Sequence, residues 1–134
     1  GAMGKYYTKK YLLSIIYTGR TIAAIAFIVL PITPTSIVIF SIVMGSLWLA
    51  TVPLTSGIIG HIYGLKFMGT LYGIVFLSHQ IGSFVGVWLG GLFYDIYGSY
   101  DLVWWVGIGV GAFSAIIHLP VNETPITERK LKLA

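Results

Sequence analysis

The sequence contains no cysteine and very few charged residues, and both absences narrow its function. Without cysteine, the chain has no disulfide framework, thiol nucleophile or cysteine-ligated zinc site. Only 9% of the 134 residues are Asp, Glu, Lys or Arg, against about 25% in an ordinary soluble domain. Because so little charge cannot coat a water-facing surface, the composition disfavours a soluble enzyme.

Apolar residues dominate instead: 57% of the chain is hydrophobic, and the mean hydropathy is +0.90. A helix needs about 20 apolar residues to cross a bilayer core of about 30 Å. Four apolar runs, at about 12–30, 36–60, 69–94 and 102–119, approach or exceed this length, and a polar tail follows at 122–134. We therefore expect an all-α membrane protein with four transmembrane helices.

Residues between the runs predict where the helices begin and end. Thr35 or Ser36 is expected to cap the second helix, and Gly64 is expected to end it. Pro120 is expected to close the fourth.

The basic residues fall on one alternating side of the four runs, with Arg20 as the exception. They are Lys5, Lys9 and Lys10 before the first run, Lys66 after the second, and Arg129, Lys130 and Lys132 after the fourth. Because basic residues near helix ends are retained in the cytoplasm, both termini and the Lys66 loop are predicted to be cytoplasmic. The net charge of +4 is then explained by orientation in the cell's inner (plasma) membrane. We expect the lipid bilayer as a partner, and no nucleic acid.

Small residues recur at four-residue spacing, which places them on one helix face. They are Gly82, Gly86 and Gly90 in the third run, and Gly107 and Gly111 in the fourth. Such stripes allow close helix packing in lipid, or they form sliding surfaces for rocking motions. The tryptophans are expected to anchor the chain at the membrane interface; they are Trp48, Trp88, Trp104 and Trp105.

Pro53 lies inside the second run and predicts a helix kink. A proline ring clashes with the carbonyl four residues earlier, here that of Leu49. The hydroxyls of Thr51 and Thr55 are candidate partners for that carbonyl. The kink is either structural or a bend that opens a polar patch onto a transport pathway.

Arg20 is the residue whose placement inside the bilayer costs the most free energy. It lies eight residues after Leu12, about 12 Å along a helix at 1.5 Å per residue. No run contains an interior Asp or Glu that could pair with it. Arg20 therefore reaches toward the headgroups, pairs with a segment outside this chain, or binds an anionic substrate. Tyr17 lies one turn earlier on the same face and would share that role.

A polar cluster, Ser78-His79-Gln80 followed by Ser83, interrupts the third run. His79 either relays protons or forms a hydrogen bond between helices. His61 and His118 lie near predicted cytoplasmic ends and are expected to matter less. Paired interior carboxylates, metal-ligand spacings and a phosphate-binding loop are missing from the sequence. No enzyme activity, metal or cofactor is therefore expected.

Three stretches stand out: VPLT at 52–55, GIVFLSHQIG at 73–82 and GGLFYDIYGSY at 90–100. They resemble helices of bacterial major facilitator superfamily transporters, closest to the monocarboxylate and oxalate–formate class. Residues 90–100, GGLFYDIYGSY, resemble the end of the eleventh helix of that family, and 73–82 resemble its earlier part. Residues 52–55, VPLT, resemble the tenth helix. Residues 1–10 are similar to a cytoplasmic loop signature at Gly1, Lys9 and Lys10, which suggests that Gly1-Ala2-Met3 is native. The four runs would then be helices nine to twelve, so that 1–134 is a partial transporter domain.

The resemblance also implies which residues face the substrate. The tenth and eleventh helices of the family border a central cavity, which gives as candidates Thr51, Thr55, Ser56, His79, Gln80 and Ser83. Arg20, on a peripheral helix, moves toward a structural or interfacial role.

The expected function is part of a secondary active transporter that moves small, monocarboxylate-like organic anions, with protons or a counter-substrate, by alternating access. The remaining helices of a larger transporter are expected as partners, and the chain alone is expected to be inactive. Two alternatives stay open. One is a self-contained four-helix exporter that works as a dimer, similar to small multidrug exporters. The other is a non-transporting membrane assembly subunit.

Overall fold

A computed structural model describes residues 8–128, whose main elements are four α-helices joined by short connections. Helix α1 spans Lys9–Val29, α2 spans Pro34–Tyr63, α3 spans Met68–Tyr97, and α4 spans Asp101–Ile117. The prediction of an all-α protein is confirmed, and each helix boundary lies within about three residues of the predicted run. Some residues used in the sequence predictions lie outside the described range: Gly1, Ala2, Met3, Lys5, Arg129, Lys130 and Lys132.

Helices α1, α2 and α3 are long and apolar enough to cross a membrane. Helix α4 is equally apolar in character but has only 17 residues, about 25 Å of helix at 1.5 Å per residue. Three of the four predicted spans are therefore matched in length and composition. The fourth span and the cytoplasmic location of both termini stay predictions.

Helix α2 begins at Pro34, two residues before the start of the predicted run. Thr33 is the N-cap, because Pro34 occupies the first helical position, where its missing N–H has no consequence. The backbone N–H of Ser36 donates to Thr33 Oγ1 over 3.1 Å, and the backbone N–H of Thr33 donates to Ser36 Oγ over 2.8 Å. The expectation of Thr35 or Ser36 as the cap was wrong, although Ser36 completes the capping box. Gly64 ends the helix as predicted, with a φ of 77° that favours glycine.

The corner between α3 and α4 is formed by the segment that carries the family resemblance. Helix α3 continues through Asp95 and stops at Gly98, which has a left-handed φ of 67°. Asp101 then opens α4, where a carboxylate favours the positive end of the helix dipole. The rings of Tyr94 and Tyr100 stack with centroids 4.6 Å apart and fix the turn.

Helix α1 is the centre of the packing. It lies between α2 and α4, while α3 touches its neighbours much less. Leu13 and Ile16 of α1 pack with Leu54 of α2 in the largest buried cluster of the described residues. On the other side of α1, Ser14 Oγ donates to the Ala115 carbonyl oxygen of α4 over 2.8 Å.

The predicted glycine stripes differ in what faces them. A Cβ built on Gly111 would lie 2.6 Å from Thr21 Oγ1 of α1, so this glycine allows α1 and α4 to approach closely. A Cβ on Gly82, Gly86 or Gly107 would meet no other atom of the described residues within 4 Å. Gly90 is buried but likewise has no such neighbour. For these four glycines, helix packing stays a prediction.

The start of α1 and the end of α4 lie at the same end of the bundle. Lys10 Nζ donates to the Leu119 carbonyl oxygen over 3.2 Å. The backbone N–H of Lys10 donates to the Glu123 carboxylate, so a residue of the predicted polar tail caps the start of α1. At the opposite end, Phe27, Phe40 and Trp104 form an aromatic cluster that joins α1, α2 and α4.

Candidate functional site

The guanidinium of Arg20 lies against aromatic ring faces near the middle of α1, and the side chain is half-buried. Arg20 is about 16 Å from the start of α1 at 1.5 Å per residue. Its Cζ atom lies 4.6 Å from the centre of the Trp48 ring and 5.6 Å from that of Tyr17. These are cation–π distances, and they hold the positive charge without using an N–H donor. Within residues 8–128, no Asp or Glu lines the cavities around the guanidinium.

Arg20 and Trp48 face a cavity of about 550 Å³ that is lined by residues of α1, α2 and α3 and by His118, directly after α4. Half of its twelve lining residues carry rings, and these are Tyr17, Trp48, Tyr72, Phe76, His79 and His118. The polar members besides Arg20 are Thr51, Thr55 and Ser78. The cavity is therefore an aromatic chamber with one permanent positive charge.

The two histidines of this aromatic chamber are held by neighbouring groups. The His79 ring lies 6.1 Å from both the Trp48 and the Phe76 ring. His118 stacks on Tyr17 with centroids 5.1 Å apart. His118 Nδ1 also lies 2.5 Å from the Ser114 carbonyl oxygen; because a carbonyl only accepts, this nitrogen carries the proton.

The hydroxyl groups of the chamber already donate to the backbone of their own helices. Thr51 Oγ1 donates to the Trp48 carbonyl oxygen over 2.6 Å, and Thr55 Oγ1 to the Thr51 carbonyl oxygen over 2.9 Å. Ser78 Oγ donates to the Val75 carbonyl oxygen over 2.7 Å. Since each hydroxyl has one proton, these side chains present only lone pairs to the cavity. A bound anion would therefore depend on other donors.

The same hydrogen bonds correct the expectation about Pro53. Neither Thr51 nor Thr55 donates to the Leu49 carbonyl, which the proline ring deprives of its usual partner. Each hydroxyl instead binds a carbonyl three or four residues earlier, as Ser and Thr commonly do within helices. Pro53 lies inside a continuous α2, and its kink stays a prediction.

The structure brings together some of the predicted site residues and separates others. Thr51, Thr55, His79 and Arg20 all line the aromatic chamber. Ser56, Gln80 and Ser83 are not among its lining residues. Ser56 Oγ donates to the Pro53 carbonyl oxygen over 3.2 Å, Ser83 Oγ donates to that of His79 over 3.0 Å, and Gln80 is exposed on α3.

Sequence reasoning missed Trp48, Tyr72 and His118 as members of this chamber. The interfacial role expected of tryptophan does not fit Trp48, which lies near the middle of α2 with its ring over Arg20. Its position near the centre of the predicted run was a usable signal, because interfacial anchors lie near helix ends. His118 gave no such signal, since its contact with Tyr17 depends on how α1 and α4 pack.

Arg20 also borders a second cavity, of about 360 Å³, between α1 and α4. Thr21, Trp104 and Ser114 line it together with Tyr17 and Arg20. Tyr17 and Arg20 thus line both cavities, of which the aromatic chamber is the larger and more polar.

Comparisons with known proteins agree with the helical membrane architecture. The sequence profile of the Major Facilitator Superfamily matches residues 1–133. A protein of Bacillus subtilis (strain 168), described as "Uncharacterized MFS-type transporter YcxA", is 35% identical over 80 residues. The match covers 60% of this chain and 20% of that relative. No solved structure matches the chain. The chain belongs to the Major Facilitator Superfamily, a family of membrane transporters.

Proposed function

We propose that this chain forms part of a secondary transporter for small, monocarboxylate-like organic anions in the plasma membrane. Transport would proceed by alternating access, in which two halves of the protein rock around a central site. Membership in the superfamily supports transport in general, and the surroundings of Arg20 support an anionic substrate.

The observation that carries the proposal is a half-buried guanidinium near the middle of α1, in contact with ring faces, while no carboxylate of residues 8–128 lines the cavities around it. An arginine near the centre of a membrane helix costs about 2.5–3.5 kcal/mol on insertion scales. Cation–π contacts return about 0.5–2 kcal/mol, so part of that cost is left for another partner to offset. A bound carboxylate would accept two parallel hydrogen bonds from the guanidinium and neutralise its charge.

The remaining donors of the aromatic chamber are suited to the same ligand. The protons of Thr51 and Thr55 are used within α2, which leaves N–H groups of Arg20 and His79 and the hydroxyls of Tyr17 and Tyr72. The volume of about 550 Å³ lies within the range of small-molecule sites in proteins.

We propose that further helices complete the transporter and cover α3. Long stretches of α3 are exposed, including Phe76, Leu77 and Phe84. The chain spans only 20% of the length of the Bacillus relative that it matches. By resemblance, α1 to α4 are helices nine to twelve. The peripheral position expected of helix nine does not fit Tyr17 and Arg20 of α1, which line the aromatic chamber. The remaining helices would supply the other wall of the substrate path.

The fragment proposal is tested by sequencing the genome on both sides of this coding segment and by an uptake assay. We expect eight further spans upstream, and no accumulation of labelled lactate by liposomes that contain the chain alone. Robust uptake by the chain alone would refute the fragment proposal. A functional cross-linked homodimer would then favour the dimeric exporter. A fixed co-purifying partner without any flux would favour the assembly subunit.

The site proposal is tested in the complete transporter by substitution of Arg20. We expect Arg20→Gln to reduce lactate uptake by at least about tenfold, since a charge-assisted hydrogen bond contributes about 1.5–3 kcal/mol. Arg20→Lys should retain part of the uptake because the charge remains. Lys66→Gln, on an exposed connection away from the chamber, is the control and should transport normally. Unchanged uptake in Arg20→Gln would exclude the anion site.

A further inference from the structure

We infer that the aromatic chamber selects anions that carry a planar aromatic body over small aliphatic acids. The inference rests on the proposed function, because it places the carboxylate of the substrate at Arg20. It adds the part of the substrate that distinguishes one organic anion from another.

The guanidinium of Arg20 can bind a carboxylate while it contacts aromatic rings. Its guanidinium contacts the Trp48 and Tyr17 rings, and a cation–π contact uses the charge rather than the N–H groups. A guanidinium has five N–H donors in a planar fork, which matches the two oxygens of a carboxylate. The carboxylate would therefore bind at the edge of a cation that Trp48 already orients.

Aromatic rings line the part of the chamber beyond the bound carboxylate. The rings of Trp48, Phe76 and His79 lie next to one another, with centroids 6.1 Å apart for both contacts of His79. Aromatic rings attract each other at centroid distances of about 4.5–7 Å, in offset or edge-to-face arrangements. A benzoate-sized ring held at Arg20 would meet these walls at such distances.

Small aliphatic acids and aromatic acids would fill the chamber to different extents. An acetate or formate ion fills little of a cavity of about 550 Å³ and leaves the ring faces in contact with water. An aromatic acid removes that apolar surface from water and adds ring–ring contacts. One such contact corresponds to about a tenfold gain in affinity at the upper end of its measured range. We therefore expect benzoate to bind at least about tenfold more tightly than acetate.

The test is equilibrium binding of radiolabelled benzoate to the full 134-residue chain in lipid nanodiscs, with acetate, benzyl alcohol and benzylamine as competitors. Benzoate should bind, acetate should compete about tenfold more weakly, and the neutral and cationic analogues should not compete at the same concentrations. Arg20→Gln should abolish binding of both carboxylates.

Variants of Trp48 test whether the preference for benzoate depends on an aromatic ring at this position. Trp48→Leu should remove the preference for benzoate, and Trp48→Phe should retain most of it because a ring face remains. Trp105→Leu is the matched control, since Trp105 is 53% exposed and Trp48 is 50% exposed, and Trp105 does not line the chamber. It should bind benzoate as the unmodified chain does.

The outcomes distinguish the two proposals. Equal affinity for acetate and benzoate, with both lost in Arg20→Gln, would overturn the aromatic preference and leave the anion site standing. Binding of benzyl alcohol as tightly as benzoate would overturn the role of Arg20. If neither carboxylate binds, either to this chain or to the complete transporter, the anion site itself is refuted.

Discussion

Helices α1 and α3 are both apolar enough to span a membrane, yet they are packed in opposite ways. Helix α1 has buried residues along its length, at Leu13, Ile16 and Ala24, and neighbours on two sides. Helix α3 is longer, but within the described residues its buried position is Gly90. Because lipid tails are as apolar as the side chains, no hydrophobic effect drives helices together in the membrane. Apolar composition therefore does not decide which helix is packed. Complementary shape does, and here it centres on α1.

The aromatic chamber lies between the packed helix and the unpacked one. Arg20 comes from α1, and His79 comes from α3. The side of the chamber that contains Arg20 is held in place because α1 packs against both α2 and α4. The side that contains His79 belongs to α3, which makes few contacts with its neighbours. We expect α3 to move more than α1 when a ligand enters. Two pairs of substitutions compare the packing around α1 with that around α3, and a third pair tests the cap at the start of α1.

The largest expected effect comes from the core of α1. Leu13 is 2% exposed and packs against Ile16 and Leu54. Leu13→Ala leaves a cavity, and we expect a loss of about 2 kcal/mol in the free energy of unfolding, the lower end of the range for buried leucine. The lower end applies because lipid tails are as apolar as leucine, so that burial of a leucine side chain stabilises a membrane protein less than a soluble one.

The measurement for Leu13 is unfolding of the chain in micelles by a denaturing detergent, followed by circular dichroism. Leu77→Ala is the control on α3, where the side chain is 60% exposed, and it should change stability by less than about 0.5 kcal/mol. Equal losses in the two variants would show that α1 is not the packing centre.

A smaller effect is expected at the glycine contact between α1 and α4. The Cβ of Gly111→Ala would collide with Thr21 Oγ1, and Thr21 is held there by a 2.8 Å hydrogen bond to the Tyr17 carbonyl oxygen. We expect a loss of about 1 kcal/mol, because the hydroxyl can rotate away and overpacking costs about 1–3 kcal/mol. The same unfolding assay measures it.

Gly82→Ala is the matched substitution on α3, where the added methyl group meets nothing within the described residues. It should be neutral or slightly stabilising in this chain, since alanine favours helix over glycine by about 0.5–1 kcal/mol. If Gly82→Ala reduces uptake in the complete transporter, a further helix lies against that face. A loss in the isolated chain would instead reveal a contact that the structure does not contain.

The smallest effect is expected where residue 123 caps α1. Glu123 accepts a hydrogen bond from the backbone N–H of Lys10 at the positive end of the helix dipole. Glu123→Ala should reduce stability by about 0.5–1 kcal/mol, and Glu128→Ala, at an exposed position, should not. The difference is measured as a shift in the unfolding midpoint, and it should shrink at high salt.

Much of the fold could be predicted from the sequence because helix ends depend on local chemistry. Gly64 ends α2 for a reason visible in the sequence, the left-handed backbone that glycine tolerates. The cap of α2 lies at Thr33, before the predicted position, because proline is favoured at the first position of a helix and Pro34 occupies that position.

The candidate site was less predictable because it depends on how the helices are paired. Arg20 and His79 could be singled out as polar groups in apolar runs, but the Trp48 ring over Arg20 and the stacking of Tyr17 on His118 are contacts between helices. Spacing along one helix identifies a face and leaves open which face of another helix it meets. The hydroxyls of Thr51 and Thr55 were overvalued for a similar reason, since their protons bind their own backbone.

The most direct measurement uses Trp48 as the single tryptophan of the chain, after Trp88, Trp104 and Trp105 are replaced by phenylalanine. If an anion binds at Arg20 beside this ring, the account predicts a saturable change in Trp48 fluorescence with benzoate and no saturable change in Arg20→Gln. The same saturable change in both proteins, or none in either, would contradict an anion site at Arg20.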